Sequence, residues 1–208
     1  MLYNKNVKSS NYFLTLNLIG GIEIMKSEKV KYVTGKVYLI YPTLKEKKEW
    51  KSKLQYNVTM MFKKESAEAT KIKEVITHIW KENKLTKRDY NPLVDGDEYA
   101  EIKAQEGKDA DWAKGHYFIK ASTQFDIKVV DGKKQPWTGE DADISGNYGR
   151  VVFLLSAYSN DGKGITCYLQ AVQILEKSDL EIKSSGASID DFDYEEIPID
   201  DDSGDVPF

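Results

Sequence analysis

Tyr148-Gly-Arg-Val-Val-Phe-Leu-Leu-Ser-Ala-Tyr158, Ser159-Asn-Asp-Gly-Lys163 and Gly164-Ile-Thr-Cys-Tyr-Leu-Gln-Ala-Val-Gln-Ile-Leu175 follow one another without a break. Two long runs rich in β-branched, aromatic and aliphatic residues flank a short segment whose Asn-Asp-Gly tolerates the positive φ of a hairpin turn. This predicts two long, largely buried strands joined by a tight turn. Upstream, Lys29-Val-Lys-Tyr-Val-Thr-Gly-Lys-Val-Tyr-Leu-Ile-Tyr41 has strand composition, and Pro42, which cannot donate to a ladder, is expected to end it. Leu54, Tyr56, Val58, Met60 and Phe62 alternate with Gln55, Asn57, Thr59 and Met61, the period-2 signature of a strand with one buried face.

Helical periodicity occurs once. After Ser66, a suitable N-cap, Ile72, Val75, Ile76, Ile79 and Trp80 fall at i, i+3, i+4, i+7 and i+8, which predicts an amphipathic helix over 66–83. Residues 84–114 are polar and broken by Asn91-Pro92, Asp95-Gly96 and Gly107, so loops are expected there. Strands are expected again at 115–123 and 127–130, followed by a loop containing Trp137. Many short strands, one amphipathic helix and long loops predict a mainly β fold, a five-stranded OB-like barrel, although periodicity alone does not separate a barrel from a small sandwich.

The chain has 208 residues and a single cysteine, Cys167, so an internal disulfide is excluded and a reducing compartment fits. With only His78 and His116 beside that cysteine, almost no zinc-ligand supply remains, which argues against a structural zinc site as well. The formal charge of −4 is unevenly distributed. Residues 184–208 carry nine acids and no base, which leaves the preceding body at +5. A basic body joined to an acidic terminus suits a protein whose partner is a polyanion. Nine like charges in such a segment predict a disordered tail.

The expected organisation is an N-terminal extension over 1–26, a binding domain over 27–183 and the tail over 184–208. Within the extension, Tyr12 to Ile24 is apolar but interrupted by Asn17 and Glu23 and is too short to span a bilayer. Leu14, Leu16 and Leu18 read as a short strand, and Met25 reads as an alternative start.

Single-strand binding needs cations for phosphates and exposed rings on which bases stack. Lys45, Lys47, Lys48, Lys51 and Lys53 surround Trp50, with Tyr56 next on the strand, and only Glu46 and Glu49 oppose them. A second group is Tyr117, Lys120, Phe125 and Lys128. A third joins Lys133, Lys134 and Trp137 to Tyr148 and Arg150. Aromatics in strands are also what a core requires, so each candidate competes with plain burial. The tail ends in Asp200-Asp201-Asp202, Asp205 and Val206-Pro207-Phe208, an acidic run with an apolar tip that suits docking to a partner pocket.

Enzymatic signals are weak. Asp95-Gly-Asp97-Glu98 and Asp109-Ala-Asp111 could hold a divalent ion, but neither has calcium-loop spacing and both lie where Asp is favoured in turns. No phosphate-binding glycine loop is present, neither histidine has a neighbouring nucleophile arrangement, and Cys167 sits in an apolar strand. No catalytic residue and no cofactor are expected. A protein-binding scaffold and a metal-dependent nuclease remain as alternatives on these grounds.

Val33-Thr-Gly-Lys-Val37, Tyr41-Pro42, Tyr56-Asn-Val-Thr-Met60, Leu93-Val-Asp-Gly-Asp97, Gly115-His-Tyr-Phe-Ile-Lys-Ala-Ser122, Val129-Val-Asp131, Ser145-Gly-Asn-Tyr-Gly-Arg150 and Gly164-Ile-Thr-Cys-Tyr-Leu-Gln170 occur in an order that resembles a family of phage-encoded single-stranded DNA-binding proteins. That family is related to the OB-fold protein that coats DNA in podovirus replication. Separately, residues 200–208 resemble the acidic tip of bacterial single-stranded DNA-binding proteins, which docks replication and repair proteins. The resemblance implies an OB barrel, a homodimer, no membrane association, the cytoplasm of a bacterial host, and a tail that contacts polymerase or helicase and primase and competes with DNA.

Overall fold

The computed structural model describes residues 29–160, 162–178 and 180. The 1–26 extension with its Leu14–Leu18 strand, and the 184–208 tail with its docking residues, lie outside the described residues.

Among the described residues, eight strands form one sheet: β1 (Val30–Val33), β2 (Val37–Trp50), β3 (Lys53–Lys63), β4 (Leu93–Asp95), β5 (His116–Thr123), β6 (Lys128–Val130), β7 (Tyr148–Tyr158) and β8 (Gly164–Ile174). Five of them close on themselves. β2 pairs with β3, β3 with β5, β5 with β8, β8 with β7, and β7 returns to β2; β5–β8 is the one parallel contact in this ring. The result is a closed five-stranded barrel within the mainly β fold expected from the sequence. β1, β4 and β6 extend it as additional strands on β7, β5 and β8. The β7–β8 hairpin has the anticipated limits to within a residue, with Gly162 at φ 103 in its turn.

Alternating residues fill the barrel: Val58, Met60 and Phe62 from β3, Ile119 and Ala121 from β5, and Val151, Phe153 and Leu155 from β7 are all buried in one core. The helix α1 (Ala67–Glu82) inserts Ala69, Ile72, Ile76 and Ile79 into that core. Each of these isoleucines contributes roughly 1.5–3 kcal/mol on full burial. The Ser66 hydroxyl accepts from the Ala69 N–H at 3.1 Å, the cap that fixes where α1 starts.

Five expectations need correction. The run 29–41 is two strands, β1 and β2, separated at Thr34-Gly35-Lys36. Pro42 does not end β2, which continues to Trp50. Tyr41 adopts φ 48 and the β2–β3 register shifts between Ile40 and Thr43, so Pro42 sits in a bulge where its missing N–H interrupts no ladder bond. The basic Lys45–Lys53 segment is accordingly no loop: it is the far end of a β2–β3 hairpin that turns at Lys51 and Ser52, φ 48 and 60.

Finally, the polar 84–114 stretch contains a second helix, α2 (Gly96–Gln105), after the short β4. Asp95 caps it, its carboxylate accepting from the Asp97 N–H at 2.9 Å. α2 and the 3₁₀ turn Asp111–Ala113 build a second, smaller core on the outside of the barrel, where Ala100, Ala110 and Ala113 cover Ile40, Met61 and Phe118. Met61, expected on an open face, is therefore fully buried.

Candidate nucleic-acid interface

The strand register defines the outer face of β2, β3 and β5 in successive rows. One row runs Tyr148–Tyr38–Met61–Phe118–Val94 from β7 across to β4. The next is Ile40–Thr59–Lys120, and a third is Thr43–Asn57–Ser122–Tyr168. The second core covers the middle of the first row and stops short of Thr59, Lys120, Asn57 and Ser122. Along that margin lies a groove of about 220 Å³ with Ile40, Thr59 and Phe118 at its floor, Tyr41, Tyr90 and Trp112 as walls and Lys120 at its rim.

Backbone features place the walls. The bulge turns the Tyr41 ring toward Trp112, edge-on at 6.0 Å and 73°. The Asp141 carboxylate accepts from the Leu44 N–H at 3.0 Å and the Lys45 N–H at 3.1 Å, which holds β2 just beyond the bulge. Tyr90 is clamped by β8: its N–H donates to the Lys163 carbonyl at 2.9 Å, and its carbonyl accepts from the Ile165 N–H at 3.0 Å. Gly164 permits this approach, because a Cβ there would lie 2.6 Å from the Tyr90 oxygen. Burial raises the pKa of both phenols.

The hairpin adds a second aromatic station. Trp50 is 56% exposed, and the Lys120 ammonium lies 4.7 Å from its ring centre. Phe125, just after β5, is 80% exposed. Lys47 sits 5.2 Å over the Tyr56 ring and 3.4 Å from the Asp126 carboxylate. Lys48, Lys51 and Lys53 are exposed and make no ion pair among the described residues.

Of the residues singled out in the sequence, the structure brings Lys47, Lys48, Trp50, Lys51, Lys53 and Lys120 to this hairpin and its adjoining strand. The others lie elsewhere or are otherwise engaged. Lys45 is paired with Glu140. Tyr56 faces the barrel core. Tyr117 and Lys120 are three apart on one strand and so point to opposite sides; the Tyr117 ring packs on the interior with Phe62, and its hydroxyl is bonded to Lys73 at 2.5 Å. Trp137, expected in an exposed loop, is half-buried against the barrel core beneath Gly139, and its indole N–H is buried with no partner among the described residues. Tyr148 stacks on Tyr38 at 4.7 Å beyond the second core, with Arg150 exposed on the same strand, and Lys128 is exposed on β6.

Tyr41, Tyr90 and Trp112 were not marked by sequence. Tyr41-Pro42 resembled a strand end, and the other two lay in the segment expected to be loops.

The carboxylates that sequence offered to a metal have protein partners. Asp95 and Asp97 both bind the Lys64 ammonium, and Asp97 also accepts from the Gly115 N–H at 2.6 Å. Burial opposes ionisation of Asp95, but Lys64 and the α2 amides outweigh it; for Asp97 the Lys64 bond leads, and both pKa values fall.

Residues 30–204 match the family described as Enterobacter phage Enc34, ssDNA-binding protein. The chain belongs to that family. Solved structures of the Enc34 family share its fold. The single-stranded DNA-binding protein from bacteriophage Enc34, as a C-terminal truncation, superposes with a TM-score of 0.57 at 18% identity, over 72% of this chain and 87% of the other. The same phage protein in complex with ssDNA gives a TM-score of 0.56 at 20% identity, over 73% and 88%. A further relative is putative protein p50 of Acyrthosiphon pisum secondary endosymbiont phage 1, 28% identical over 123 residues, which is 59% of this chain and 66% of that protein.

Proposed function

We propose that this member of the Enc34 family is a non-enzymatic protein that binds and protects single-stranded DNA during phage replication and recombination, with little sequence preference. The observation that carries the reading is the outer face of β2, β3 and β5, where the exposed rings of Tyr41, Tyr90 and Trp50 lie beside Lys120 and the lysines of the hairpin. Rings supply stacking for any base and ammonium groups neutralise phosphates, so affinity falls as salt rises. Quenching of tryptophan fluorescence by oligo-dT, titrated over a salt series, tests this: salt-sensitive quenching is expected, and its absence at low salt would overturn the reading.

We further propose that the acidic tail competes with DNA for this surface and that Val206-Pro207-Phe208 docks replication proteins such as polymerase, helicase or primase. The proposed setting is the host bacterial cytoplasm, with the protein acting as a homodimer. Charge segregation between body and tail supports the competition. A chain ending at Lys183 should bind oligo-dT more tightly than the intact one, and deletion of Phe208 should abolish capture of the replication partner. Mass in solution reports the dimer.

A further inference from the structure

The groove bounded by Tyr41, Tyr90 and Trp112 is concave but open to solvent, between a closed pocket and a flat stacking surface. At about 220 Å³ it is smaller than the roughly 300–1,000 Å³ of drug-sized sites, which suits one planar ring system. Tyr41 and Tyr90 are 48% and 54% exposed, so their rings stand at the mouth, while the half-buried Trp112 closes the back. A tyrosine at φ 48 is a costly conformation, and the proline bulge and the Asp141 clamp hold it there. Tyr90 is fixed independently, through its close approach to Gly164. Two separate backbone devices thus present two rings to the same small space.

Lys120 connects this pocket to the hairpin. It is one of the pocket's lining residues, and its ammonium lies over Trp50, 4.7 Å away. Resting on the single-strand reading above, we propose that the pocket receives one nucleobase turned out of the strand's own stack, with Lys120 on the adjoining phosphate and the neighbouring base on Trp50. A paired base reaches such a pocket only by extrusion, which costs a few kcal/mol. The barrel therefore discriminates against duplex through its own shape, independently of the tail.

The full-length protein, irradiated with a dT oligonucleotide carrying one 5-iododeoxyuridine, should crosslink at Tyr90 or Tyr41. Tyr90→Ala should lower the ratio of single-strand to same-length duplex affinity by on the order of tenfold, and Tyr90→Phe, which keeps the ring, should restore most of it. Crosslinks confined to Trp50 and Phe125, or a ratio unmoved by Tyr90→Ala, would overturn the pocket while leaving single-strand binding intact. The crosslink uses the unmodified chain, so it decides the matter even where Tyr90→Ala does not fold. Failure of the unmodified chain to bind the oligonucleotide would instead defeat the binding reading itself.

Discussion

The Lys120 ammonium rests 4.7 Å from the centre of the exposed Trp50 ring, a contact between the middle of β5 and the tip of the β2–β3 hairpin. In the proposed binding mode it joins a stacking platform and a phosphate-binding charge in one unit, and burial lowers the pKa of that lysine. The two roles separate experimentally. Trp50→Ala should weaken oligo-dT binding by about 1–3 kcal/mol with little change in the salt slope, because it removes stacking alone.

Lys120→Met should act on the other axis. Removing one phosphate contact to a single strand lowers the slope of log affinity against log salt by about 0.7. Isothermal titration at four or more salt concentrations measures it. An unchanged slope would place Lys120 off the phosphate path.

Gly96 allows α2 to dock. A Cβ at this position would collide with the Ala113 carbonyl and lie 2.6 Å from the His116 carbonyl, both of them backbone. Gly96→Ala should therefore destabilise the fold by about 1–3 kcal/mol or more, read as a lower denaturation midpoint. Because α2 carries Tyr99 and adjoins Trp112, DNA affinity should fall with it.

Lys64 binds Asp95 and Asp97 together, and both carboxyl groups are held below their ordinary pKa. Since the folded-state values lie below the unfolded ones, the stabilisation is complete above pH about 4 and is lost as pH falls through the folded-state values. Lys64→Met removes the shared partner. The stability gap between it and the parent should be widest near neutral pH and close in acid, as followed by urea denaturation. A gap that stayed constant with pH would mean that the ion pairs contribute nothing.

Burial pushes the Cys167 thiol up to about 12. At pH 8 the folded protein should resist alkylation by iodoacetamide and react only on unfolding, so the labelling rate reports the stability of the β7–β8 hairpin. Rapid native-state labelling would contradict its burial.

The β7–β8 hairpin and α1 were legible because their apolar residues are periodic and their turn and cap carry recognisable residues, Asn160 and Gly162 in one case and Ser66 in the other. α2 was not, because only Gly96 and Ala100 of its residues are buried and little apolar period remains to detect. The hairpin turn escaped for a different reason: Lys51 and Ser52 occupy positive φ without the Asn or Gly that normally announces it. The lysine-rich hairpin was marked by composition. The pocket was hidden, since Tyr41, Tyr90 and Trp112 come from three distant segments that only barrel closure and the second core bring together. Tyr117 shows the converse failure, where proximity in sequence to Lys120 concealed an opposite strand parity.

Among the described residues, the strands that extend the barrel are short: β1 is four residues long, and β4 and β6 are three each. Strands this short offer little template for another copy to extend. Molecules crowded side by side along one filament of DNA would find few open amides on these three strands, and the longer open edge of β2 beyond Tyr38 carries Lys45, Lys47 and Lys48, charges that discourage a second copy from zipping on.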